Sequence, residues 1–100
     1  MIKHIVCWTI KEFAEGCSKK ENLQKLKLAL ENLKDKIPGI LSLEVGENFD
    51  PSEDAYDFSL IIEFNNKADL KVYQEHPEHL NVIQFLRKIR DKRIVVDYEV

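Results

Sequence analysis

Three residues of this chain carry the side chains that a proton-transfer site needs: His4, Tyr73 and His79. An imidazole titrates near neutral pH and can act as a general base once burial has tuned it. A tyrosine hydroxyl can hold a carbonyl or enolate oxygen. Together they suit proton abstraction beside a carbonyl, then an intramolecular aldol-type ring closure, with no cofactor. Tyr73 and His79 bracket the stretch Tyr73-Gln74-Glu75-His76-Pro77-Glu78-His79. Pro77 removes an amide donor and clashes with an ongoing helix, so a helix arriving from Leu70 stops near His76 and another restarts beyond it. The break re-aims His79 relative to Tyr73. The competing reading is that these polar groups satisfy one another, or backbone groups, inside the core.

Two further residues stand near this set, His76 and Asp97. His76 and His79 have an H-x-x-H spacing, but Pro77 breaks the helical face they would share and no thiol or carboxylate completes a ligand set, so no metal or other cofactor is assigned. His76 is expected as an exposed cation at a helix end. Asp97 is a candidate orienter for His79, since a carboxylate can fix an imidazole tautomer. Strict alternation puts Asp97 on the sheet face away from the helices, so it reaches the pocket only if the last strand bulges.

The elements that must position these groups follow from periodicity. Ile2 to Lys11 reads as a strand with Ile2, His4, Val6, Trp8 and Ile10 on one face. Ser18-Lys19-Lys20-Glu21 fits a capping box, and the helix behind it runs to about Lys36 with a stripe of Leu23, Leu26, Leu30, Leu33 and Ile37. Pro38-Gly39 ends it. Strands follow over Ile40–Gly46 and Tyr56–Phe64, joined by an acidic loop. Asn65-Asn66 caps a helix from Lys67 to about Glu75, and a third helix runs from about Glu78 to Arg90 with Val82, Ile83, Leu86 and Ile89 inward. Ile94–Val100 closes the chain as a strand. The fold class is α+β: a ferredoxin-like βαββαβ unit with a broken second crossover helix and an antiparallel sheet. The pocket between sheet and helices is expected to be lined by Val6, Trp8, Phe58, Leu70 and Ile83, with Trp8 restricting it to a small ligand.

Helices can cover one sheet face only. The other is expected to hold Ile5, Cys7, Ile61 and Val95 among polar groups, which predicts a homodimer packed sheet to sheet. One hundred residues suggest one domain, 1–100. A net charge of −3 argues against a nucleic-acid partner, and the basic cluster Arg87, Lys88, Arg90, Lys92 and Arg93 reads as a solvated helix end and turn. No apolar run approaches the roughly 20 residues of a membrane span. Cys7 and Cys17 read as free thiols in a reducing compartment, and the cytoplasm is the expected location.

Met1-Ile2-Lys3-His4-Ile5-Val6, Ile37-Pro38-Gly39-Ile40, the His-Pro-x-His core of Tyr73–His79 and the closing Val95-Val96-Asp97-Tyr98, in that order, resemble the stress-responsive A/B barrel (Dabb) family. The resemblance covers essentially the whole chain. It implies a ferredoxin-like fold that dimerises into an α+β barrel. The family includes olivetolic acid cyclase-like plant proteins, a cofactor-free class. Their tyrosine, second motif histidine and first-strand histidine match Tyr73, His79 and His4. Trp8 and Phe58 depart from the lining expected of a long polyketide pocket. Three functions stand: a small dimeric protein binding a small hydrophobic or carbonyl-containing ligand, a cofactor-free cyclase or isomerase, and a structural dimer with a filled pocket.

Overall fold

A computed structural model describes residues 1–100. Its central strand is β1 (Ile2–Ile10), whose residues alternate between buried and half-buried. A two-rung hairpin, β2 (Phe13–Ala14) and β3 (Cys17–Ser18), fills the connection to the first helix. Glu15 and Gly16 turn it with φ of 51° and 73°. Then come α1 (Lys19–Glu31), α2 (Leu33–Lys36), β4 (Ile40–Glu47), β5 (Phe58–Phe64), α3 (Lys67–Glu75), α4 (Pro77–Ile89) and β6 (Arg90–Glu99). The strands form one antiparallel sheet in the order β4-β5-β1-β6. That order, with helices crossing over one face, is the ferredoxin-like α+β arrangement.

The local chemistry explains the boundaries. The Ser18 hydroxyl accepts the Glu21 amide at 3.3 Å, and the Glu21 carboxylate accepts the Ser18 amide at 3.1 Å, closing the capping box. The first helix is interrupted at Asn32, where a continuous run was expected. Asn32 keeps helical angles (φ −67°, ψ −19°), so the chain hardly changes course. The core is one cluster joining Ile2, Val6, Trp8 and Ile10 of β1 to alternate residues of β5 and to the stripes of α1 and α4.

The last strand departs most from expectation. It begins at Arg90, and between the Ile10–Arg90 and Trp8–Arg93 pairs the register shifts: two steps along β1 match three along β6. The extra residue is a bulge, and inside it the Lys92 amide donates to the Thr9 hydroxyl at 2.9 Å. Beyond the bulge Asp97 lies opposite His4, and Val95 opposite Val6. Directly paired residues share a face, so Asp97 and Val95 are on the helix side, contrary to the alternation argument. Ile94, Val96 and Tyr98, opposite Cys7, Ile5 and Lys3, take the helix-free side. The apolar side of this edge strand points away from the helices.

Gly39 sits at φ 94°, and a Cβ there would lie 3.1 Å from the Asp69 side chain. Gly39→Ala is expected to cost about 1–2 kcal/mol, the price of a left-handed L-residue. Urea denaturation of both proteins measures it, and an unchanged midpoint would contradict the turn geometry.

Candidate functional site

The site is built at the α3–α4 break. His76 is extended (φ −68°, ψ 135°), ends α3 and caps α4. Its Nδ1 accepts the Glu78 amide at 3.1 Å. It is therefore a half-buried N-cap of α4, where an exposed residue at the helix end was expected. Pro77 occupies the first turn of α4, where a missing amide hydrogen costs nothing.

The turn swings His79 back under α3. His79 Nδ1–H donates to the Gln74 carbonyl at 3.1 Å. That oxygen belongs to the last turn of α3, whose carbonyls lack helical partners. The bond sets the tautomer: Nδ1 carries the proton, and Nε2 keeps its lone pair. Burial pushes the His79 pKa below its usual value, against the opposing pull of the Gln74 carbonyl; the charges of His4, Arg93 and His76 lower it further.

Tyr73 is the hub. Its ring centroid lies 4.2 Å from that of His79, 5.8 Å from that of His4 and 5.5 Å from that of Phe64. It is 1% exposed. Burial raises the phenol pKa well above its ordinary value, with Arg93 opposing, so the hydroxyl stays protonated and acts as a donor. His4 is buried beside it, and His4 Nδ1 contacts the Asp97 carboxylate. An ionised carboxylate only accepts, so His4 Nδ1 carries the proton. Asp97 thus orients His4, not His79; the pairing follows from the β1–β6 register.

His4, Tyr73 and His79 line one narrow cavity of about 20 Å³, room for roughly one water. Val6, Trp8 and Ile83 line it too. Phe58 and Leu70 do not. Phe58 is buried against Trp8 at the far end of the β1–β5 pair, with centroids 6.2 Å apart. Leu70 instead lines a groove beside Asp97 and Tyr98. Leu30, Leu60, Val82, Leu86 and Arg93 complete the cavity and were not anticipated. Leu60 was findable, since it stands opposite Val6 once β5 pairs with β1. Outside, a cleft of about 310 Å³ shares Trp8, His79, Ile83, Leu86 and Arg93 with the cavity.

The chain matches the family described as Stress responsive A/B Barrel Domain, Dabb, over residues 2–100. It is similar to a dimeric ferredoxin-like protein of unknown function from Bacteroides fragilis, with 34% identity, TM-score 0.83, and 99% of this chain and 95% of that chain covered. A dimeric ferredoxin-like protein of unknown function from Thermobifida fusca superposes with TM-score 0.84 at 19% identity, covering 99% and 90%. A hydroxynitrile lyase from Passiflora edulis superposes with TM-score 0.81 at 20% identity, covering 97% and 90%. These last two share the fold alone. No curated protein sequence matches the chain. The chain belongs to the stress-responsive A/B barrel family.

A histidine whose pKa is depressed by folding stabilises the protein above its unfolded pKa, and that stability is lost as pH falls through the folded value. His79 should therefore titrate below 6.5. Its share of stability declines from about pH 6.5 downward. Nitrogen-15 NMR of the histidine rings should show His79 protonated at Nδ1 at neutral pH. A midpoint above 6.5, or an Nε2–H tautomer, would contradict the arrangement.

Proposed function

We propose that this Dabb chain is one domain, residues 1–100, that forms a homodimer through its helix-free sheet face and binds a small molecule between sheet and helices against His79 and Tyr73. The observation that carries the binding reading is the His79–Gln74 bond. It leaves a basic imidazole nitrogen beside a protonated phenol, at the inner end of a cleft large enough for a small ligand. The narrow cavity alone holds about one water, so a ligand enters from the cleft and reaches the two side chains with one end.

The dimer reading rests on the sheet. Ile94, Val96 and Tyr98 are 51%, 51% and 41% exposed in the single chain, beside half-buried Ile5, Cys7 and Ile61. Such a face calls for a partner, and a second copy closes it symmetrically. The Bacteroides fragilis protein, similar at 34% identity, is described as dimeric.

A second reading is favoured by the two ionisation states. A neutral His79 and a protonated Tyr73 are the base and the donor of an aldol-type cyclisation or isomerisation. His79 Nε2 would take the proton beside a substrate carbonyl, while the Tyr73 hydroxyl holds the enolate oxygen. The carbanion would attack a second carbonyl of the same molecule, and His79 would return its proton to the new alkoxide. The reading of a structural dimer with a filled pocket is favoured by the small cavity.

Sedimentation should give about twice the 11.7 kDa chain mass. Val96→Asp should yield a folded monomer; an unchanged dimer would move the interface elsewhere. Trp8 separates the pocket readings, because it walls both cavity and cleft. Trp8→Leu should cost about 1–3 kcal/mol and admit longer apolar ligands in calorimetric titrations of graded chain length. If the parent and variant bind the series alike, or neither binds anything, Trp8 does not gate a ligand site. Turnover lost in both Tyr73→Phe and His79→Gln, with ligand binding retained, would distinguish catalysis from binding.

A further inference from the structure

The outer cleft has a charge that the binding reading does not require. Arg87, Arg90 and Arg93 all line it, and its nine lining residues include no Asp or Glu. None of the three arginines takes part in the chain's five side-chain ion pairs, which use lysines or His4. The chain as a whole is acidic, at −3. Three unpaired guanidinium groups around one concavity are thus a local reversal of the protein's charge. Like charges so gathered repel one another unless a counter-charge sits between them.

The fold arranges this gathering. Three residues apart on a regular strand, Arg90 and Arg93 would point to opposite faces. The β6 bulge pairs them with Ile10 and Trp8, which share the helix-side face of β1, so both arginines come to that side. Arg87 joins them from the last turn of α4, three residues before Arg90. The cleft lies on the helix side of the sheet, opposite the face assigned to the dimer, so dimerisation leaves it open. Its inner wall continues into the His79–Tyr73 cavity through Trp8, Ile83 and Arg93. Arg93 bridges the two: its charge acts on both Tyr73 and His79.

We infer that the ligand of this pocket is a small organic anion, its carboxylate held by Arg87, Arg90 and Arg93 and its uncharged, carbonyl-bearing or apolar end directed at His79 and Tyr73. A planar guanidinium offers paired N–H donors that match a carboxylate, and three of them give orientation as well as affinity. The cleft of about 310 Å³ is at the lower end of small-molecule sites, which fits a short or single-ring acid. The inference rests on the pocket reading above and adds the charge and direction of the ligand.

The test uses the dimeric protein and matched probes: benzoate with benzamide, phenylpyruvate with its methyl ester, hexanoate with hexanamide, and inorganic phosphate alone. Binding is followed by calorimetry and by the arginine Nε–H resonances. At least one acid should bind about tenfold or more tightly than its neutral partner. Arg90→Gln and Arg93→Gln should each remove most of that preference, weakening the acid far more than its neutral partner. Raising salt from about 0.05 to 0.5 M should weaken the acid alone. If acids and neutral partners bind equally, or the arginine variants keep the preference, the anion inference is wrong while the pocket stands. If phosphate binds as well as any acid and competes with none of the neutral probes, the arginines form a separate phosphate site and the carboxylate assignment fails. If no probe binds, charged or neutral, the pocket reading falls and takes this inference with it.

Discussion

A proline between two histidines decides where the polar groups of this molecule meet. Pro77 cannot continue α3, so the Gln74 carbonyl is left without a helical donor and His79 supplies one at 3.1 Å. One hydrogen bond thereby finishes a helix, sets an imidazole tautomer and holds the ring 4.2 Å from Tyr73. His76 meets the same break from the other side, as the cap of α4. The two histidines of the motif have different tasks: one closes a helix end and the other faces the cavity.

The sheet contributes the opposite wall. His4 is the polar member of an otherwise apolar β1 face, and a buried imidazole needs a partner. The β6 register delivers Asp97 to it. The bulge that sets this register also turns Arg90 and Arg93 toward the helices and leaves Ile94, Val96 and Tyr98 on the open face. One inserted residue thus governs a carboxylate–imidazole pair, a basic cleft and an apolar surface together. The anion and homodimer readings both depend on that local irregularity.

Regular periodicity made most of this architecture legible. The alternation of β1 and β5, the capping box at Ser18 and the Pro77 break identify the elements and put His4, Tyr73 and His79 on converging faces. The errors lie where periodicity fails. Alternation along β6 named the right residues for each side but assigned the sides wrongly, because the apolar side of an edge strand faces away from the helices here. The same error put Val95 on the open face and paired Asp97 with the wrong histidine. Arg93 was read as solvated because its position depends on the bulge, which has no proline or glycine to mark it. Phe58 and Leu70 were placed in the pocket by face alone. A face fixes direction but not depth along the strand or helix: Phe58 begins β5, and Leu70 lies about one turn before Tyr73 on α3.

Whether the break at Pro77 seats His79 against Tyr73 in solution can be read from nuclear Overhauser effects between their ring protons. With centroids 4.2 Å apart, strong cross-peaks between the imidazole of His79 and the ring of Tyr73 are expected in the free protein. They should disappear when Pro77→Ala lets α3 run on through the motif. An absence of those cross-peaks in the parent would put the ring elsewhere, and the shared site of Tyr73 and His79 would be contradicted.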